Sequence, residues 1–214
     1  MKNFVIGSGI ISFKYKDGVI TASDTQASYG SLCKFTNLTR IYKLSPNTLV
    51  SLSGEVSDIQ KLVSTLFKIK ESDPVGLSTS GYLNLVQSIL YNKRNRVEPY
   101  NVSVNILGYD NKLVLGAVNH LGLVYEDDIV STGLSSMIAL PYLRSILEGR
   151  SNEISREEAI KIAEDAMRIM CYKSCRHSNQ IQIGIIEKEY INISEQYSLS
   201  TNWEMAVKEN EIMI

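Results

Sequence analysis

Two short stretches carry side chains whose types and spacing allow chemistry. In Gly7-Ser8 a serine hydroxyl follows a glycine at a junction that processing could cut. A freed Ser8 α-amine, a base with a pKa of about 8, would be placed to take the proton of its own hydroxyl and make it a nucleophile. In the second stretch Cys171, Cys175 and His177 lie close together, and the i, i+4 cysteine pair would share a helix face. Zinc takes four ligands in tetrahedral geometry, and no clear fourth stands nearby. The pattern reads instead as a helix ending at Cys171 with Cys175 in the following turn, so no metal and no cofactor is expected. His120, inside Asn119-His120-Leu121-Gly122, reads as a turn residue and not as a base.

The elements that must hold these residues follow from periodicity. Ile10 to Tyr15 is an apolar strand that turns at Asp17-Gly18 into Val19 to Asp24, and Thr48 to Ser53 is another. Val56, Ile59, Val63, Leu66 and Phe67 recur at three and four residues, the stripe of an amphipathic helix that Asp73 to Gly76 ends. A second helix starts near Ser78 and finishes at Lys93, Arg94 and Arg96, which suits the negative end of its dipole and reads as a solvated helix end. Strands at Val102–Ile106 and Leu113–Ala117 flank a turn at Tyr109 to Asn111. The next helix, roughly 135–148, contains Pro141, which implies a kink or a later start. Ser155-Arg156-Glu157-Glu158 is a capping box, opening a helix whose alanine-rich face suits close packing. Strands at 181–186 and 190–194 close the domain. Two helices between strand sets and two more before the last strands fit an α+β, four-layer α-β-β-α sandwich of two antiparallel sheets flanked by helices.

Specific motifs sit on this frame. Gly7-Ser8 with the strand after it, Ser28-Tyr29-Gly30-Ser31-Leu32, and Phe35 to Ile41 resemble the amino-terminal third of a proteasome β subunit. The resemblance runs from about Gly7 to Trp203 and implies the N-terminal nucleophile hydrolase fold. In active members a threonine stands at the position of Ser8, the carboxylate of Asp24 is kept, and a lysine stands at the position of Arg40. Lysine tunes proton transfer because its ammonium shifts readily when buried, whereas a guanidinium stays protonated to above about pH 12. Active members also carry a serine where this chain has Leu134, with Ser135 one residue away, and an aspartate and a serine at Ser174 and His177. Gly54 falls where a backbone N–H meets the oxyanion. The implied site is degenerate, with no catalytic residue, and the expected role is a non-catalytic structural subunit. The alternative is a weakly active peptidase that uses a freed Ser8; another is a free-standing hydrolase built from identical rings.

Ser28 to Leu32, Thr132-Gly133 with Ala139-Leu140-Pro141, the turn after Tyr172 and Ser200 to Trp203 narrow the resemblance to a seventh, non-catalytic type of β subunit. What that implies is a core particle serving proteasomal, ubiquitin-dependent protein degradation. Its expected partners are other β subunits in the same and the opposite ring, and the α ring. The expected organisation is a short extension or propeptide at 1–7, a β-type domain at 8–203 and a tail at 204–214. The tail ends in Ile212, Met213 and Ile214, apolar residues with no obvious place in the core. With Trp203 they are the expected contacts to the opposite ring.

Composition excludes other classes. The 214 residues suit one domain, and 22 Lys plus Arg against 23 Asp plus Glu leave a net charge of −1, with no electrostatic footprint for nucleic acid or an anionic membrane. No stretch approaches the roughly 18 uninterrupted apolar residues of a membrane helix. The start of the chain vaguely resembles a signal peptide, but Gly7, Ser8 and Gly9 interrupt its apolar run and strand-like alternation follows. Three cysteines, Cys33, Cys171 and Cys175, have no framework spacing and argue for a reducing compartment, with cytoplasm and nucleus the expected location.

Overall fold

The computed structural model describes residues 4–73 and 75–204. Its first strands are β1 (Val5–Gly7), β2 (Gly9–Tyr15), β3 (Gly18–Asp24), β4 (Ala27–Tyr29), β5 (Leu32–Phe35), β6 (Ile41–Ser45) and β7 (Thr48–Glu55). Helices α1 (Val56–Ser72) and α2 (Thr79–Asn95) follow, then β8 (Val102–Tyr109), β9 (Leu113–Val118), β10 (Val124–Glu126) and β11 (Ile129–Gly133). Helices α3 (Ser135–Leu147) and α4 (Arg156–Lys173) lead into β12 (Gln180–Glu187), β13 (Ile191–Ile193) and β14 (Tyr197–Ser198).

Local chemistry sets the helix starts. The Ser78 and Ser155 hydroxyls accept from the N–H groups of Gly81 and Glu158, each satisfying a donor that a first helical turn leaves free. Pro141 does not delay α3, contrary to one expectation from the sequence. The Leu134 carbonyl accepts from Met137 and Ile138, so the first turn closes ahead of the proline, which the helix carries inside it.

All strand pairings are antiparallel. One sheet runs β10-β9-β8-β7-β1-β4-β5, with β6 also on β7; the other runs β11-β2-β3-β12-β13, with β14 on β12. Helices α1 and α2 cover the outer face of the first sheet through Leu62, Leu66, Tyr82 and Val86, and α3 and α4 cover the second through Leu143, Ala163, Ala166 and Met170. This is the α-β-β-α sandwich that the periodicity implies. Every residue of β3 is buried, as a strand between a helix layer and a facing sheet must be.

The space between the sheets is half apolar and half hydroxylic. Val19, Leu49, Leu107, Leu115 and Ile186 fill one end. Toward the middle, the Asn105 amide donates to Ser12 Oγ at 3.0 Å, Ser12 donates to Thr21 Oγ1 at 2.9 Å, and Thr21 meets Ser51 Oγ at 3.0 Å. A buried hydroxyl is tolerated where a partner meets it, and small side chains let the two backbones approach. Thr21→Val keeps the shape and removes the shared oxygen, leaving Ser12 and Ser51 short of a partner. A loss of about 1–3 kcal/mol is expected, read as a lower denaturant midpoint; an unchanged midpoint would show that the hydroxyl chain contributes nothing.

Candidate functional site

Ser8 stands where the chain crosses from one sheet to the other. Gly7 before it pairs with Ala27 of β4 and Gly54 of β7, and Gly9 after it pairs with Gly133 of β11. The Ser8 carbonyl accepts from Leu134 N–H at 2.9 Å, and its hydroxyl donates to the Arg176 carbonyl at 2.8 Å. The residue is 3% exposed. Both flanking glycines are sterically required. A methyl on Gly7 would come within 2.7 Å of Arg40 Cδ, and one on Gly9 would overlap Ser135 Oγ and lie 3.0 Å from His177 Nε2.

Behind Gly7 the ion pair of Arg40 and Asp24 is fully buried on both sides. Arg40 Nη2 donates to the Asp24 carboxylate, its Nε donates to the Asp24 carbonyl at 3.2 Å, and Gln26 N–H donates to the other carboxylate oxygen at 3.1 Å. Asp24 thereby ends β3 with its charge spent on neighbours. His177 Nε2 lies 3.9 Å from Asp24 Oδ1. Neither of its ring nitrogens is hydrogen-bonded among the described residues, and the same holds for Ser135 Oγ and Arg40 Nη1. Burial holds the His177 pKa below the usual imidazole value; the Asp24 charge opposes that shift and the Arg40 charge adds to it. The imidazole is therefore neutral at neutral pH. Burial raises the Cys171 pKa, and Asp24 adds to the rise.

The remaining candidates are placed as follows. Leu134 offers its N–H to Ser8, while Ser135 is the residue whose side chain enters the site, one position along. Ser174 ends α4, and its hydroxyl accepts from Arg176 N–H at 3.2 Å instead of reaching Ser8. Gly54 has φ +127°, and a side chain there would run into the Asn101 carbonyl. Cys171 and Cys175 are free thiols, and among the described residues no three His, Cys, Asp or Glu side chains are grouped to hold a metal. His120 lies in the turn after β9 and lines a surface cavity of about 800 Å³ with Phe4, Lys93 and Tyr100. Trp203 packs edge-on against Tyr172 with ring centroids 4.8 Å apart; Ile212, Met213 and Ile214 lie outside the described residues.

Sequence reasoning missed two things here. Val5–Gly7, which it set apart within an extension, forms β1 and fills the slot between β4 and β7; the β-branched pair Val5-Ile6 was the available signal. It also missed the Arg176 carbonyl as the partner of Ser8, because a main-chain acceptor leaves no mark in residue type.

A family profile described as "Proteasome subunit" matches residues 5–186. The chain belongs to the proteasome subunit family. It is 42% identical, over the whole of both chains, to a probable proteasome subunit beta type-7 of Encephalitozoon cuniculi. It is 37% identical to the Dictyostelium discoideum proteasome subunit beta type-4 across 95% of this chain and 82% of that one. Identity to the Arabidopsis thaliana beta type-4 subunit is 34%, across 95% and 84%. The chain is thus a proteasome β subunit, and its relatives carry two type numbers. Membership implies a role in the core particle and assembly with other proteasome subunits in rings.

In this proteasome β subunit the fit around Ser8 is testable. Gly9→Ala should destabilise the fold by about 1–3 kcal/mol through overpacking, and Ser135→Ala in the same chain should recover part of that loss by removing the overlapping oxygen. Equal thermal midpoints for the single and double variants would refute the fit.

Proposed function

We propose that this proteasome β subunit is non-catalytic: it holds a place in the β ring, lines the proteolytic chamber and helps tie the two rings together, while hydrolysis belongs to neighbouring subunits. One observation carries the reading. The Ser8 hydroxyl has a carbonyl as its hydrogen-bond acceptor, and among the described residues no side-chain base is hydrogen-bonded to it. The α-nitrogen of Ser8 is an amide in this chain, with its lone pair delocalised into the peptide bond. Where a proton-relaying amine would be needed, Arg40 is bound to Asp24 on two atoms. His177 is neutral but makes no hydrogen bond with Ser8. A hydroxyl becomes a nucleophile only when a base takes its proton, and such groups act as units.

The strand slot supports the same reading. An extended peptide could enter between β4 and β7 as an added strand, and β1 already occupies that position with main-chain pairing on both sides. Free Cys33, Cys171 and Cys175 agree with a reducing compartment, and we assign the particle to cytoplasm and nucleus. The α ring and the β subunits of both rings are the partners in this reading.

Two outcomes are expected. A covalent probe for N-terminal nucleophiles, applied to the intact particle, should label sister subunits and leave Ser8 unmodified; an adduct on Ser8 would sink the non-catalytic reading. Ending the chain after Asn202 should leave the fold intact, because Asn202 N–H still donates to Tyr172 Oη at 2.6 Å. Ring pairing should nevertheless weaken, seen as a higher share of half-particles on native gels. Normal pairing would remove the tail from this account.

A further inference from the structure

Of the chain's two histidines, His120 is exposed, while the side chain of His177 is wholly out of water. A buried ring whose two nitrogens have no partner among the described residues is costly to keep. Its surroundings show what it can respond to. Nε2 lies 3.9 Å from Asp24 Oδ1, and that same oxygen accepts from Arg40 Nη2. Ser135 Oγ and His177 Nε2 both border the space that a side chain on Gly9 would take, so β2 and α3 bring no charge to the ring. Cys171 of α4 is near enough to Asp24 for the carboxylate to raise its thiol pKa, and it too stays uncharged. The turn itself contributes Cys175, which is exposed, and Arg176, which is half-buried. Asp24 and Arg40 are the charges that act on the ring.

The turn that carries His177 is held to the body through two of its carbonyls. Gln26 Nε2 donates to the Cys175 carbonyl at 3.3 Å, and the Ser8 hydroxyl donates to the Arg176 carbonyl at 2.8 Å. Protonation would give the ring a second N–H and a positive charge. The carboxylate within its reach is already bound by Arg40, and two cations on one buried carboxylate repel each other. Nδ1–H would have no acceptor in place. A charged ring is therefore satisfied only by moving, toward Asp24 or out past Cys175 to water. The Arg176 carbonyl and the His177 Cα belong to one planar peptide unit, so motion of the ring's backbone passes directly to the oxygen that holds Ser8.

We infer that His177 is an acid-operated release: on taking up a proton it frees the turn at 174–178, and with it the Arg176 carbonyl, from the Ser8 hydroxyl. The direction with pH follows from burial. An unfolded histidine titrates near pH 6.5, and His177 is held below that value in the fold. The stability tied to the neutral ring is thus fully present above about pH 6.5 and is lost as the pH falls from there through the folded value. Within that window the ratio of folded to unfolded chain drops by up to about tenfold per pH unit, one proton's worth. Two mass-spectrometric readings on the full chain test the inference. Exchange of the imidazole Cε1 hydrogen, which speeds up as the ring loses its proton, follows the titration of His177. Amide exchange, corrected for its intrinsic pH dependence, follows the protection of residues 172–180, with β3 as the internal control. The expected result is a His177 midpoint below that of an unfolded histidine. As the pH falls through it, protection of the turn should drop at least several-fold more than that of β3, and His177→Gln should abolish this drop. A midpoint at or above 6.5, a ring that stays neutral until the chain unfolds, a titration with no local loss of protection, or the same loss in His177→Gln would overturn the inference. Should that variant fail to fold, the two readings on the unaltered chain still decide.

Discussion

The buried pair of Arg40 and Asp24 is the constraint on which the rest of this molecule depends. Two charges taken fully out of water must satisfy one another, and removing either partner from such a pair typically costs roughly 3–5 kcal/mol. Here the pair also dictates sequence around it. The Arg40 stem fills the space beneath residue 7, which must be glycine, and the Asp24 charge orients Gln26, whose amide reaches Ser28 and the Cys175 carbonyl. The turn after α4 is thereby tied to β4, and its Arg176 carbonyl meets the Ser8 hydroxyl. A site of this kind is organised to persist rather than to pass protons.

Much of this was legible in the sequence. The strand pairs at 10–24 and 102–117, the two helix pairs and the Ser155 cap follow from alternation, 3.6-residue stripes and cap chemistry, which are local rules. The positions of Ser8, Asp24, Arg40 and Gly54 came from the resemblance to proteasome β subunits, carried by the motifs around them. What stayed hidden depends on tertiary approach: β1 is three residues long, paired on both sides by strands distant in sequence and marked only by the Val5-Ile6 pair, and β14 is two residues long and supplies no period. Leu134 and Ser135 could not be told apart, because a one-residue step at a helix start decides which side chain points inward. Pro141 misled for a related reason, since the turn before it closes on the Leu134 carbonyl independently of the proline.

The hydroxyl layer between the sheets and the glycines at 7, 9, 54 and 133 serve one purpose at two places. Small residues allow strands of different sheets to meet closely, and the two sheets join covalently at Ser8. Packing, polar satisfaction and chain path agree there, as a uniquely folded core requires.

The placement of β1 has a mechanical consequence. Among the described residues it is the strand that bridges β7 and the protruding β4–β5 hairpin by hydrogen bonds in the order of the first sheet. Severing the bond between residues 7 and 8 would leave those three residues as a loose rung, free to depart. The gap opened would be two interstrand spacings wide, about 10 Å, too far for β4 and β7 to rejoin. Maturation by cleavage, in this architecture, would unfasten a rim as much as it would uncover a terminus.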